Sequence, residues 1–414
     1  MSALAGTPAR TDSTKRLRGR LLAILRVGLA LAILAWVATS LPWKDELVYT
    51  TDTGVELLAP GTIEGDWKDD RIRFEVDELA ELPEAWPESA RDTVRRGEAL
   101  AIERHADGQP GFDWQPGMPH AFREMEAGGL VLAFTLFFAA TLVIVTRWWR
   151  LLELAGCPTS WGNAARLTFI GLFFNNVMPG ATGGDLVKGV VVAKENPGRR
   201  AEALVTVIAD RVFGLITLVM LAFVVILIAG GEFVALRKPL LIVLAVCVAG
   251  TGLYANRSLR KKIGLSWLVD RLPIADKLRS LDRAALLYLR RPGPVFAAFA
   301  FSFVNHLLVT LGVFFLGRAI GVSRSEVGLV QYLVLVPVAN LIGALPLAPG
   351  GWGIGELAFR GLFVMIGASP ALGVAVSVTY RLCQLAIGLL GGIFLLLPGG
   401  RSTLSGAETA SAVD

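Results

Sequence analysis

Long apolar runs separated by short polar segments dominate this sequence. A helix needs about 20 apolar residues to cross the hydrocarbon core of a membrane. The first run follows a basic stretch, as a signal peptide would, but its length favours an uncleaved helix. Six runs predict membrane-spanning helices: Leu21–Leu41, Gly128–Thr146, Ala203–Ala229, Pro239–Ala255, Pro294–Gly317 and Pro370–Leu397.

Two further apolar regions are interrupted in the middle by proline and glycine. Trp161–Val177 runs into PGATGGD (Pro179–Asp185), and Val327–Leu345 runs into PLAPGGWGIGE (Pro346–Glu356). Such residues end a helix, so each region predicts a helix, a break and a second helix. Broken backbone survives at membrane depth only inside protein or beside a polar cavity. We interpret both regions as re-entrant, the first from inside and the second from outside, with full hairpins as the alternative.

Composition and loop charge support a multi-pass membrane protein. Apolar residues make up 54% of the chain and charged residues 18%, which is typical of an integral membrane protein. In this topology the short cytoplasmic segments hold 23 basic residues, Arg147 among them, and the opposite short loops hold four. The positive-inside rule therefore places both termini in the cytoplasm, and we expect the cell (inner) membrane as location.

An acidic insert follows the first predicted helix. Residues 44–126 contain 21 acidic and 9 basic residues, a net charge of −12. Alternation in Arg71–Val76 predicts a small β-rich extracytoplasmic unit, followed by a polar helix from about Pro87 to Arg96. The sequence does not identify a binding partner for the insert. The predicted order is a basic cytoplasmic tail (1–20), a first transmembrane helix (21–43), the insert (44–126), a transmembrane domain (127–398) and a disordered tail (399–414).

The sequence lacks the residues that several classes of enzyme and binding protein require. The sequence contains no GxxxxGK[ST], GxSxG or HExxH motif, and its three cysteines and three histidines are scattered. Basic residues cluster beside apolar runs, which argues against nucleic-acid binding. We therefore expect no cofactor, no metal and no catalytic constellation.

The two breaks share a pattern that predicts an internal repeat. Asp185 ends the first break and Arg211 follows in the next long apolar run; Glu356 ends the second break and Arg381 follows at nearly the same separation. One copy entering from each side is typical of an inverted-topology transporter repeat with a midplane substrate site. The predicted fold is an all-α polytopic membrane protein with about six full spans, two re-entrant broken-helix pairs and the β-rich insert.

These residues predict a site for a phosphate-sized anion. Glycine-rich breaks and helix N-termini offer backbone N–H groups, and both intramembrane arginines should face the bundle interior. The alternative is structural, with the acids capping helices and the ion pairs only locking the bundle. The predicted substrate-binding side chains are Asp185, Lys188, Asp210, Arg211, Glu356, Arg360, Arg381 and Gln384, and the predicted backbone cradle is Gly180, Gly183, Gly184, Gly350, Gly351, Gly353 and Gly355.

The same residues resemble a known family. NNVMPGATGGDLVKG (Asn175–Gly189), Asp210-Arg211, LPLAPGGWGIGE (Leu345–Glu356) and Tyr380-Arg381 are similar to the lysylphosphatidylglycerol synthase transmembrane-domain, or flippase-like, family. The resemblance covers about Gly128 to Leu397 and the first helix. It implies movement of a phospholipid from the inner to the outer leaflet, or of a polyprenyl-phosphate lipid. Synthase members append a soluble aminoacyltransferase domain, whereas this chain ends in a polar tail, so we expect no synthase activity.

We therefore expect a flippase-like membrane lipid transporter, not an enzyme, whose ligand is an anionic phospholipid or a polyprenyl-phosphate lipid. Two alternatives stay open. One is a membrane-embedded headgroup or glycan transferase, and the other is a membrane scaffold whose insert binds an external partner. A homo-oligomer is compatible with each.

Overall fold

Two kinds of structure divide the chain: a small antiparallel sheet near the N-terminus and long apolar helices after it. The computed structural model describes residues 43–396 except 54, 68, 78–81, 104–110, 124, 178–182, 230, 256–281, 283–285, 287, 289–290, 325–326 and 345–353. The predicted first span, Leu21–Leu41, and the predicted C-terminal tail lie outside the described residues.

The acidic insert forms a five-stranded antiparallel sheet, which confirms the predicted β-rich unit. In β3 the charged side chains are exposed while Ile72, Phe74 and Val76 are buried, because successive side chains of a strand point to opposite faces. The predicted polar helix is also present, as α1 (Glu88–Arg95). The strands are β1 (Asp45–Thr50), β2 (Glu56–Glu64), β3 (Arg71–Val76), β4 (Leu100–Glu103) and β5 (Gly111–Gln115), in the spatial order β4-β3-β2-β1-β5.

One buried carboxylate joins the sheet to the segment that leads into the membrane domain. Asp45 on β1 accepts hydrogen bonds from the backbone N–H groups of Ile63 (2.8 Å) and Gly117 (2.6 Å), and it also contacts His120 Nδ1 at 3.1 Å. His120 lies on the short helix α2 (Met118–Arg123). Buried apolar side chains continue from this sheet into the helical bundle as a single cluster. The insert therefore packs directly on the membrane domain.

The membrane domain consists of nine described helices. Those of its first part are α3 (Ala127–Leu154), α4 (Trp161–Val177), α5 (Gly183–Glu195), α6 (Arg200–Ala229) and α7 (Val234–Ala255), and those of its second part are α8 (Pro292–Ile320), α9 (Leu329–Gly343), α10 (Ile354–Met365) and α11 (Pro370–Leu396). Four described segments are long and apolar enough to cross a membrane: Ala127–Leu154, Pro197–Ile228, Pro292–Ile320 and Leu372–Phe394. The predicted span Pro239–Ala255 lies within α7 and stays a prediction.

Each region with a predicted break consists of two separate helices. α4 and α5 run antiparallel, since Arg166 near the start of α4 pairs with Glu195 at the end of α5 at 3.2 Å. At the other end, a Cβ on Gly184 would lie only 1.7 Å from the carbonyl oxygen of Gly171. Glycine is required there because the two helices touch backbone to backbone.

Helices of the two parts pack on one another in corresponding ways. α3 lies antiparallel to α8, with the backbone N–H of Glu126 donating to the carbonyl oxygen of Ala319 at 2.9 Å. α4 packs on α11, where a Cβ on Gly391 would lie 2.0 Å from the carbonyl oxygen of Phe169. α6 packs on α9. The first helices of the two parts thus meet each other, and the second helix of each part meets the fourth helix of the other.

Candidate functional site

Each predicted arginine forms an ion pair with the predicted acid of the same break. Arg211 in the middle of α6 contacts Asp185 in the first turn of α5; these two residues are called the first pair. Arg381 in α11 contacts Glu356 in the first turn of α10, with 2.6 Å between Nε and Oε1; these are called the second pair. The near-equal sequence spacing corresponds to equivalent contacts between a short helix and the long helix after it.

The two pairs differ in exposure. The side chains of the second pair are 12% and 14% exposed, whereas Arg211 is 49% and Asp185 20% exposed. The expectation that both arginines face the bundle interior is therefore wrong for Arg211. The helical period explains its position, because the apolar side chains on its face of α6 are also exposed. These are Ile208, Val212 and Leu215.

The glycines permit close packing, and one of them does not supply the predicted free N–H group. Gly184 N–H donates to Asn175 Oδ1 at 2.8 Å, so the prediction of an open anion-binding amide is wrong there. Gly183 begins α5. Gly355 lies under the second pair, where a Cβ would come within 1.9 Å of Arg381 Nη2. The other predicted cradle residues, Gly180, Gly350, Gly351 and Gly353, lie outside the described residues.

A buried polar cluster joins four helices beside the first pair. Arg147 on α3 donates from Nε to Asp210 Oδ1 on α6 at 2.8 Å and from Nη1 to Ser302 Oγ on α8 at 2.6 Å. Lys188 Nζ on α5 lies 4.0 Å from Asp210 Oδ2. These four residues, all buried, are called the interior cluster. The structure therefore brings the predicted Lys188 and Asp210 together with two residues absent from the predicted site.

Arg147 lies within a helix, not in the predicted loop. The sequence assigns it to a cytoplasmic loop, but α3 continues to Leu154 and Arg147 lies inside it. The apolar side chains beyond it, including Trp148 and Leu152, are also buried. In the sequence, the apolar positions after Arg147 indicate that the helix continues beyond it. The sequence does not indicate that Arg147 pairs with the distant Asp210 on α6.

Aromatic and imidazole side chains border the interior cluster. Lys188 Nζ lies 3.7 Å from the ring centroid of Trp148, within cation–π range. His306 Nε2 lies 2.9 Å from the carbonyl oxygen of Gly214, which links α8 to α6. This bond agrees with the interhelical role that a lone membrane histidine most often has.

The remaining predicted residues lie on exposed surfaces. Gln384 is exposed on α11, and Arg360 is exposed on α10. Burial raises the pKa of Glu46 on β1, and the charge of Arg360 opposes that rise. Arg360 therefore lies close to the insert.

Among the residues that the structure describes, no three His, Cys, Asp or Glu side chains are grouped as metal ligands would be.

Comparisons with known proteins relate most of this chain to one family. Residues 112–392 match the family described as "Lysylphosphatidylglycerol synthase TM region". A UPF0104 membrane protein of Pyrococcus horikoshii is 27% identical over 310 residues, which cover 68% of this chain and 92% of the relative. A UPF0104 membrane protein of Methanothermobacter thermautotrophicus is 26% identical, covering 64% and 83%. No solved structure matches.

Proposed function

Because this chain belongs to the family of the lysylphosphatidylglycerol synthase transmembrane region, we propose that it moves a phosphate-bearing lipid between the leaflets of a membrane. The observation that carries the proposal is the presence of two arginine–carboxylate pairs, each beside a break between helices. Charged groups inside a membrane are costly and are functional by default. Arginine binds phosphate oxygens through a planar set of N–H donors.

Helix lengths favour re-entrant helices rather than full spans. α5 has 13 residues and α10 has 12, so each is about 20 Å long or less at 1.5 Å per residue. The hydrocarbon core is about 30 Å thick. Together with the corresponding packing of the two parts, these lengths support an inverted repeat of broken helices.

Depth along the helices supports a site near the membrane midplane. Arg211 lies about three helical turns after Arg200, where α6 starts, and Arg381 lies about three turns after Pro370, where α11 starts. Each arginine is therefore about 17 Å along a helix of about 40–45 Å, which is within the middle third of that helix. In the proposed topology the termini are cytoplasmic and the insert is extracytoplasmic.

The unequal exposure of the two pairs suggests a direction of access. A headgroup enters laterally at the first pair, where the half-exposed Arg211 interrupts an apolar stripe facing the acyl chains. The phosphate then replaces Asp185 as partner of Arg211, and later meets Arg381, while the acyl chains stay in the bilayer. Asp185 and Glu356 hold the arginines between turnovers. The ligand is an anionic phospholipid or a polyprenyl-phosphate lipid.

Reconstitution tests this proposal. Purified protein is placed in liposomes containing fluorescent phosphatidylglycerol, and the fraction reaching the other leaflet is followed by quenching with a membrane-impermeant reductant. We expect rapid transfer by the wild type and none above protein-free liposomes for Arg381→Ala.

The control is Arg150→Gln. Arg150 lies on α3 and forms an exposed pair with Glu153 at 3.1 Å, outside both pairs and the interior cluster. This variant should transfer lipid at the wild-type rate. Equal rates for the wild type and Arg381→Ala would refute the role of the second pair.

A further inference from the structure

Positive charge exceeds negative charge in the interior cluster. Arg147 and Lys188 are cations, and Asp210 is the carboxylate between them. The first pair beside them adds one charge of each sign. With ordinary ionisation, three cations and two carboxylates leave a net charge of +1, whereas the second pair is neutral by itself. The region around the first break therefore has room for one more negative charge.

Lys188 is the least compensated of these cations. Arg147 holds Asp210 at 2.8 Å and Ser302 at 2.6 Å, but the 4.0 Å from Lys188 Nζ to Asp210 Oδ2 is too long for a hydrogen bond. The Trp148 ring offers Lys188 a cation–π contact, whose attraction is weaker than that of a paired anion. Lys188 is only 4% exposed, and a buried charge is costly unless it is paired and hydrogen-bonded.

The position of Lys188 connects this excess charge to the lateral surface. Lys188 lies three residues, about one helical turn, after Asp185 on α5, and Asp210 precedes Arg211 on α6. The interior cluster is thus the next polar layer behind the half-exposed first pair. An anion that reaches Arg211 from the membrane is within the electrostatic influence of Lys188.

We infer that the first pair and the interior cluster together bind one singly charged phosphodiester, whose charge Lys188 neutralises. This inference rests on the proposed function and specifies its ligand by net charge. A phosphodiester with an uncharged headgroup carries one negative charge and matches the site. A diphosphate carries more negative charge and would leave part of it unmatched by the site. A zwitterionic headgroup would bring an additional positive charge, so the excess positive charge of the site would remain.

Lipid binding to the full chain in detergent micelles tests the inference without requiring transport. The probes are phosphatidylglycerol, phosphatidylcholine and inorganic phosphate at millimolar concentration. Native mass spectrometry counts bound lipid, and the thermal unfolding temperature at rising lipid concentration gives the affinity. The variants are Lys188→Met, Lys188→Arg, which keeps the charge, and the surface control Arg150→Gln.

We expect one tightly bound phosphatidylglycerol per wild-type chain, with at least tenfold weaker binding of phosphatidylcholine. Lys188→Met should weaken phosphatidylglycerol binding at least tenfold, while Lys188→Arg and Arg150→Gln stay within threefold. Equal binding by Lys188→Met and the wild type would overturn the inference. So would equal stabilisation of the wild type by both lipids, a comparison that needs no variant to fold, or displacement of the lipid by inorganic phosphate.

Failure of this site and failure of transport give different results. If phosphatidylglycerol binds through Lys188 but does not cross reconstituted liposomes, the site stands and lipid movement is wrong. If Lys188→Met moves phosphatidylglycerol as fast as the wild type does, lipid movement stands and the role of Lys188 is wrong.

Discussion

Removing the carboxylate of Asp210 should destabilise the fold strongly. Arg147 and Asp210 are both buried and meet at 2.8 Å. Asp210→Asn keeps the shape of the side chain but takes the negative charge away from Arg147 and Lys188. Breaking a buried ion pair by removing one member costs about 3–5 kcal/mol, so we expect a loss of that size in the free energy of unfolding.

A matched exposed pair supplies the control. Arg150 and Glu153 lie on the same helix as Arg147 and meet at 3.1 Å, with side chains 60% and 41% exposed. Glu153→Gln should therefore cost at most about 1 kcal/mol. Equilibrium unfolding by SDS in mixed micelles measures both variants. An Asp210→Asn variant no less stable than Glu153→Gln would show that the interior cluster is not a stabilising buried ion pair.

Three further predictions concern packing, pH and thiol reactivity. Gly184→Ala should destabilise the α4–α5 hairpin by about 1–3 kcal/mol, because its Cβ would lie 1.7 Å from the Gly171 carbonyl oxygen. The same unfolding assay measures this loss, and a variant as stable as the wild type would contradict the close packing. Burial raises the pKa of Glu46 above its ordinary 4.5 despite Arg360, so its contribution to stability is most favourable at acidic pH and falls as the pH rises through the raised pKa. Glu46→Gln should accordingly gain stability over the wild type between acidic and neutral pH, and thermal unfolding at several pH values would show no such divergence if Glu46 were solvated. Cys157 is fully buried, and burial raises the pKa of its thiol. A variant that retains only this cysteine should therefore react with maleimide after denaturation and hardly at all before it. Fast labelling of the folded protein would contradict the buried position of Cys157.

Local patterns in the sequence were sufficient for elements that depend on neighbouring residues. The alternation of Arg71–Val76 predicts a β-rich unit, and these residues form β3, because one face of a strand is buried and the other solvated. Proline and glycine predict the ends of α4 and α9. The sequence places Asp185 and Arg211 in one predicted site, and the structure brings them into contact because the short helix α5 folds back on α6.

Features that depend on distant residues could not be predicted in this way. The strand order β4-β3-β2-β1-β5 places the last strand beside the first, and no local pattern fixes that pairing. The apolar positions beyond Arg147 indicate that its helix continues, but no local pattern identifies its partners Asp210 on α6 and Ser302 on α8. The exposure of Arg211 differs from the prediction for another reason: the apolar stripe around it is visible in the sequence, but the cost of a charge in hydrocarbon favours a buried arginine.

Neutralising the second pair as a unit tests the central claim most directly. The double variant Glu356→Gln/Arg381→Gln removes both charges together and keeps two side chains able to hydrogen-bond across the 2.6 Å contact. If the arginine binds the phosphate of a crossing lipid, this protein should unfold near the wild-type temperature, while its initial rate of phosphatidylglycerol transfer in liposomes falls at least tenfold, about 1.4 kcal/mol. A folded double variant that transfers lipid at the wild-type rate would show that the pair only holds α10 against α11.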